Sequence, residues 1–342
     1  MKKYILILLF VSVSVLLFSQ NKFQPTPPEQ GPGSPTYFHD EVVQYDFAAT
    51  PDGFWLYEPA SPRPDSANVI VFNHGYGGYN PMIYGKWIKH LVRKGNIVIY
   101  PRYQKNIYSP SPKYFVNNVS QAIRDALKKM ENSNFIKPIT RNLAMVGHSY
   151  GGVITANLAV NFEKHKIPKP VAILLCSPGT GPFKGGILDS YEAMPAESKV
   201  VIMVSENDRI VGEKFGKKFF KTATNVVQRN YIRQLHDNST NPPHRAGHNE
   251  SYALDIDFDN GKRNATTRRA LRKGKTNHID YYGYWKIFDA LLDCSRTGEN
   301  CEYAFGNTQE QRFLGLNSNG QPLLELEVII PESKVKPTAT TQ

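Results

Sequence analysis

Cysteine is scarce in this chain, with only three in 342 residues, and none of the spacings resembles a zinc ligand set. Cys176 ends an apolar run and reads as a small buried hydrophobe rather than a nucleophile. Cys294 and Cys301 flank the turn-forming stretch Ser-Arg-Thr-Gly-Glu-Asn, so a local disulfide is expected in an oxidising compartment. Long apolar runs are missing too, with one exception at the start. Lys2 and Lys3 precede an uncharged stretch from Tyr4 to Phe18. That stretch falls short of the ~20 residues of a spanning helix but fits a secretory leader. Residues 1–20 are expected to be a signal peptide cleaved near 19–22, which places the mature protein outside the cytoplasm, secreted or periplasmic. No cysteine follows the leader where a lipoprotein anchor needs one. Acidic residues are the third shortage: 30 Asp and Glu face 41 Lys and Arg, for a formal charge of +11. Loss of the leader lysines leaves about +9. The surplus gathers at Lys262-Arg263 and from Arg268 to Lys275. Residues 262–275 therefore read as a solvated basic loop or a contact for an anionic surface. Aromatic residues do not alternate with these cations as a base-stacking platform would require, so no nucleic-acid partner is expected.

What is present reads as one large domain. Residues 21–36, rich in proline and glycine, are expected to form an extended linker, and residues 331–342 a flexible tail. Between them, residues 37–330 alternate short apolar runs with amphipathic segments. Val42 to Ala48 and Gly53 to Tyr57 predict two strands joined by a turn. The runs Asn68–Asn73, Asn96–Tyr100, Leu143–Val146, Val171–Cys176 and Lys199–Val204 have the continuous apolar character of strands buried on both faces. Met82–Lys94, Val116–Met130, Gly152–Glu163, Gly212–Lys221 and Asp280–Asp293 have helical spacing. A further strand is expected over Val226–Leu235. The stretch from His236 to His278 is polar and basic, with few core residues. This alternation predicts an α/β fold whose central sheet is mostly parallel, with an antiparallel N-terminal edge and helices on both faces.

Chemistry gathers around Gly147-His-Ser-Tyr-Gly151, where an apolar strand stops and a helix begins. This is the Gly-x-Ser-x-Gly pattern of a nucleophile elbow, which makes Ser149 the candidate nucleophile. A serine hydroxyl needs a base, oriented by a carboxylate, to become nucleophilic at neutral pH. Asp208 lies in a Glu-Asn-Asp turn just past an apolar strand and is the preferred acid, with Glu206 as its rival. Four histidines follow it. His236 ends the last strand, His248 sits in Arg-Ala-Gly-His-Asn-Glu-Ser after a proline loop, His244 adjoins a double proline and is expected to be solvated, and His278 opens the final helix. The residues favour His248 and keep His236 as the alternative. The glycine-rich loop Asn73-His-Gly-Tyr-Gly-Gly-Tyr79 follows a buried strand, so its Tyr76 N–H and the Tyr150 N–H after the nucleophile are the candidate oxyanion donors. The loop Pro178–Pro195 offers Phe183 and Tyr191 as substrate-binding residues; the alternative is a packed surface loop.

His74-Gly-Tyr-Gly-Gly, Gly147-His-Ser-Tyr-Gly-Gly and Ser205-Glu-Asn-Asp-Arg-Ile-Val are similar to motifs of the α/β-hydrolase superfamily, and the likeness spans roughly residues 40–330. Secreted ester hydrolases of the dienelactone-hydrolase-like, cutinase-like and platelet-activating-factor-acetylhydrolase-like branches are the nearest in pattern. The resemblance implies an α/β-hydrolase fold with Ser149 as nucleophile, Asp208 as acid and the Tyr76 and Tyr150 amides as oxyanion hole. It also favours His248, because Ala-Gly-His here precedes Tyr281-Tyr-Gly-Tyr-Trp-Lys286. Two departures stand out. Polyester hydrolases carry a tryptophan after the strand that follows the elbow, where this chain has Cys176-Ser-Pro-Gly-Thr-Gly. Dienelactone hydrolases use a cysteine nucleophile, where this chain has Ser149. The stretch 255–277 looks like an insertion that could partly cover the site.

Together these features predict a secreted, monomeric serine hydrolase that cleaves small-molecule or lipid-like carboxylic esters through an acyl-enzyme, with no metal or organic cofactor. A serine peptidase or amidase would use the same residues, but no propeller or peptide-gating domain is evident. A lipase would need an apolar lid, which the basic 255–277 stretch does not resemble. A catalytically silent binding module on the same fold is the alternative from another class.

Overall fold

The computed structural model describes residues 26–108, 111–183, 186–240 and 243–331. The expected signal peptide, residues 21–25 of the expected linker and the tail beyond 331 lie outside the described residues. Nine strands form one sheet: β1 (Glu41–Phe47), β2 (Phe54–Ala60), β3 (Ser66–Asn73), β4 (Asn96–Pro101), β5 (Lys137–His148), β6 (Ala172–Cys176), β7 (Lys199–Ser205), β8 (Arg229–Gln234) and β9 (Glu327–Ile329). Their order is β1-β2-β4-β3-β5-β6-β7-β8-β9. All pairings from β4 to β8 are parallel, while β1–β2, β2–β4 and β8–β9 are antiparallel. This is the α/β-hydrolase fold, with the predicted antiparallel N-terminal edge.

The apolar strands are buried on both faces because successive side chains point to opposite sides. Ile70, Phe72, Val98, Tyr100, Ala144, Val146, Val201 and Met203 face one cluster. Val69, Val71, Ile97, Ile99 and Met145 face a second, and Ile173, Leu175, Val200 and Ile202 a third. The helices α1 (Gly85–Arg93) and α6 (Lys286–Arg296) cover the first side with Trp87, Leu91, Ile287 and Phe288. The helices α2 (Phe115–Lys129), α3 (Tyr150–Val160) and α4 (Lys214–Thr222) cover the other. Cys176 is buried in the first cluster, and burial pushes its thiol well above the usual range, as expected of a packing residue. Cys294 and Cys301 form a disulfide that ties the end of α6 to the short α7 (Cys301–Ala304). Among the described residues no helix is long and apolar enough to cross a membrane. The disulfide is compatible with an extracellular protein.

Two expectations need correction, and one strand is new. The described part of the Pro/Gly-rich segment does not run free: residues 31–34 turn and dock, with the Gly33 N–H bonded to the buried Asp289 carboxylate at 2.8 Å. The approach is so close that a Cβ on Gly33 would meet the Tyr281 carbonyl at 2.3 Å. The polar stretch from His236 to His278 is not poor in core residues, since Tyr252, Ala253, Phe258 and Ala270 join the main cluster. It also contains a helix, α5 (Ala265–Lys273), built on an Asn264–Thr267 capping box, with Arg268, Arg272 and Lys273 facing outward. Finally, β9 adds a second antiparallel edge that its three residues were too few to announce.

Candidate active site

The site lies beyond the carboxyl ends of the parallel strands, where α/β sheets place their functional loops. Asn73, the last residue of β3, pairs with Gly147 of β5, which sets the glycine-rich loop directly beside the elbow. Ser149 adopts φ 55° and ψ −121°, a conformation that a non-glycine residue avoids at a cost of about 1–3 kcal/mol. Its surroundings enforce it. The Ser149 N–H donates to Cys176 O at 2.9 Å, and the Ser149 carbonyl accepts from Gly152 N at 3.0 Å and Gly179 N at 3.1 Å. A Cβ at 147 would meet the Gly151 carbonyl oxygen at 2.4 Å, and one at 151 the Asn73 carbonyl oxygen at 2.1 Å. Only glycine lets the strand, turn and helix approach this closely.

Asp208 and His248 come from the turn after β7 and the long loop after β8. His248 Nε2 lies 2.9 Å from Ser149 Oγ, and His248 Nδ1 lies 2.7 Å from Asp208 Oδ2. With the proton on Nδ1 donated to the carboxylate, Nε2 is free to accept from the serine hydroxyl. Asp208 Oδ1 takes the Ile210 and Val211 amides at 2.8 and 3.0 Å. Burial alone would raise the Asp208 carboxyl. The His248 hydrogen bond and charge, with these amides, outweigh it and hold the group below the usual carboxylate range. The two loops are also tied by their backbones: Asn207 N donates to Ala246 O, and Asn207 Nδ2 to Arg245 O.

The rivals are elsewhere. Glu206 accepts the His236 backbone N–H at 2.7 Å, and the His236 ring bonds Asn238. His244, expected to be solvated, is buried: it exchanges backbone hydrogen bonds with Asp237 and packs on the His278 ring at 5.1 Å.

The glycine-rich loop that carries the candidate donor Tyr76 can be accounted for group by group. Gly75 N–H donates to Tyr84 Oη, and the Gly75 carbonyl accepts from Gly78 N–H. The Tyr76 carbonyl accepts from Thr266 Oγ1, Gly77 N–H donates to Gln104 Oε1, and the Gly77 carbonyl accepts from Asn264 Nδ2. The Gly78 carbonyl accepts from the Tyr100 hydroxyl. Gly77 has φ +76°, the positive value this turn needs. From Gly75 N–H to Gly78 C=O, the Tyr76 N–H alone has no acceptor among the described residues, and neither does the Tyr150 N–H at the start of α3.

Sequence reasoning missed Asn264, Thr266 and Gln104, which hold this loop. Asn264-Ala-Thr-Thr267 is legible as a helix cap, but nothing local says that its remaining amide faces Gly77. Asn264 and Thr266, in the 255–277 stretch, therefore brace the glycine-rich loop. Replacing Asn264 with alanine together with Thr266→Val should lower ester kcat about tenfold with KM little changed, because the loop loses its aim rather than its substrate contacts. Steady-state kinetics beside a melting curve would check this; an unchanged kcat in a folded variant would show that the brace is idle.

The two substrate-binding candidates part company. Phe183 is half-buried against Tyr76, with ring centroids 4.5 Å apart, and reaches Tyr150 at 6.2 Å. Tyr191, by contrast, is a core residue. Its ring is fully buried against Phe215 and Phe219, and its hydroxyl donates to Asn157, which in turn holds the Gly186 carbonyl. An aromatic ring at that position gains more by filling the space between α3 and α4 than by facing solvent.

Residues 41–188 match the family model of the chlorophyllases, a family of α/β-hydrolase-like esterases. The match covers somewhat under half of the chain and includes Tyr76, Ser149, Tyr150 and Phe183, while Asp208 and His248 lie beyond it. It points to an ester hydrolase of the α/β-hydrolase type. No curated protein matches the chain.

Proposed function

We propose that the protein is an exported serine hydrolase that cleaves carboxylic esters through an acyl-enzyme. One observation carries this reading: Ser149, His248 and Asp208 form a continuous hydrogen-bonded chain, at 2.9 and 2.7 Å, beside two unengaged backbone N–H groups. In the proposed reaction Ser149 Oγ attacks the ester carbonyl while His248 Nε2 takes its proton. Asp208 fixes the ring and stabilises the imidazolium that forms. The carbonyl oxygen, now negative, receives the Tyr76 and Tyr150 N–H groups. His248 returns the proton to the departing alcohol. It then activates a water that attacks the acyl carbon and releases the acid and Ser149. Phe183, on Tyr76, is proposed to contact the group next to the scissile bond. The disulfide supports export, since such bonds persist in oxidising compartments.

The test is hydrolysis of p-nitrophenyl esters of rising acyl length by wild type and Ser149→Ala, with a fluorophosphonate probe followed by peptide mass mapping. Turnover that disappears in the variant, with the probe on Ser149, is the expected result. Absence of Ser149-dependent turnover across the series would overturn the reading. The acyl length that gives the highest kcat/KM would then define how much acyl chain the surface beside Phe183 accepts.

A further inference from the structure

We propose that Tyr84 and His148 are positioning residues, forming a buried hydrogen-bond relay that couples the oxyanion loop to the loop bearing His248. The proposal rests on the ester-hydrolase reading above. The relay has three links: Gly75 N–H donates to Tyr84 Oη at 3.0 Å, Tyr84 Oη–H to His148 Nδ1 at 2.8 Å, and His148 Nε2–H to the His248 carbonyl at 2.9 Å.

Its direction is fixed by its ends. A backbone amide can only donate and a backbone carbonyl can only accept. The Tyr84 hydroxyl must therefore accept from Gly75 and donate onward. His148 must accept at Nδ1 and donate at Nε2, which requires the neutral ring with its proton on Nε2. A charged ring would place a second N–H against Tyr84 and leave the tyrosine proton without an acceptor. The surroundings suit the neutral form. Tyr84 and His148 are buried, Tyr252 packs edge-on against both rings at 5.5 and 5.6 Å, and burial pushes His148 down to about 3.

The geometry shows what such a relay does. At one end it holds the Gly75 N–H, one residue before Tyr76, whose own N–H is a proposed oxyanion donor. At the other it holds the His248 backbone, from which the imidazole projects. Asp208 sets the angle of that ring, but not where its Cα sits. His148 is also the residue before Ser149, so one side chain references donor, nucleophile and base to a common frame. Misplacement of reacting groups by a fraction of an ångström is enough to slow the chemistry while leaving substrate affinity largely intact.

Two substitutions separate the links. His148→Gln can keep a donor at the Nε2 position for the His248 carbonyl, whereas His148→Asn keeps an acceptor for Tyr84 but loses that donor. With p-nitrophenyl esters, His148→Asn, which cuts the link to His248, and His148→Gln and Tyr84→Phe, which cut the link between Tyr84 and His148, should each lower kcat about tenfold with KM within about twofold, and Tyr84→Phe combined with His148→Gln should be no worse than either alone. Additive losses in that double variant at matched melting temperature, or an unchanged kcat in any single variant, would overturn the relay. A second measurement does not depend on turnover or on a variant folding: 15N NMR of the full chain labelled at histidine. His148 should show the Nε2–H tautomer, unchanged from about pH 8 to 5. An Nδ1–H tautomer, or a second proton gained in that range, would overturn the proposal. If the wild type shows no Ser149-dependent turnover, the ester reading fails and the NMR result alone decides the relay.

Discussion

Ser149→Ala and His248→Ala should each lower kcat on a good ester by about 10⁵- to 10⁶-fold, and the double variant should be no worse than either single one. Without His248 the serine hydroxyl keeps its proton, and without Ser149 the base has nothing to activate, so the second loss removes a group that already does nothing. The residual rate should be carried by the Tyr76 and Tyr150 amides, which both variants keep. His236→Ala is the control. Its ring bonds Asn238 and touches neither Ser149 nor Asp208, so kcat should stay within about twofold of wild type. Single-turnover and steady-state kinetics on purified, folded variants check all four proteins. Additive losses in the double variant would show that Ser149 and His248 do not act as one unit, and a collapse in His236→Ala would move the role of base to His236.

The second large effect falls on the elbow's geometry rather than its chemistry. Gly151→Ala should cost at least about 3 kcal/mol, and either prevent folding or leave a folded protein without activity. Its new Cβ would stand 2.1 Å from the Asn73 carbonyl oxygen and 2.3 Å from that of His74. Both are backbone atoms at the end of β3, so no rotamer change relieves the contact, and any retreat moves the oxyanion loop. Gly216→Ala in α4 makes a fair comparison. There the Cβ would meet only side chains, Val204, Ile202 and Tyr231, at 3.1 to 3.2 Å, and alanine is the better helix former. That variant should remain within about 1 kcal/mol of wild type. Denaturant titration of the two variants distinguishes them, and equal stability would mean that α3 does not sit against β3 as closely as described.

Much of the site was legible because its signals are local. The glycines around Ser149, the acidic turn after β7 and the glycines of the oxyanion loop each encode a backbone shape within a few residues, and the structure places them side by side. The central strands were legible for a related reason: a short run of apolar residues, all buried, is what a strand covered on both faces must be. Where sequence reasoning failed, it failed on direction. Tyr191 lies in the same loop as Phe183, yet one ring turns into the core and the other toward Tyr76, a choice made by the space between α3 and α4. His244 looked like a loop residue because of its prolines, and its burial depends on Asp237 and His278 coming together.

By itself, then, the sequence determined the α/β alternation, the elbow, the acid turn and the glycine loop, since those depend on backbone preferences and apolar periodicity within short windows. The tertiary structure alone decided which histidine reaches Ser149, because the path of the loop after β8 is set by bonds from Asn207 to Arg245 and Ala246. It alone turned Asn264 and Thr266 of the 255–277 stretch into a brace for Tyr76 and Gly77, and joined Gly75 to His248 through Tyr84 and His148. Each of those contacts links groups far apart along the chain, and a hydrogen bond of that kind leaves no mark on local propensity or pattern.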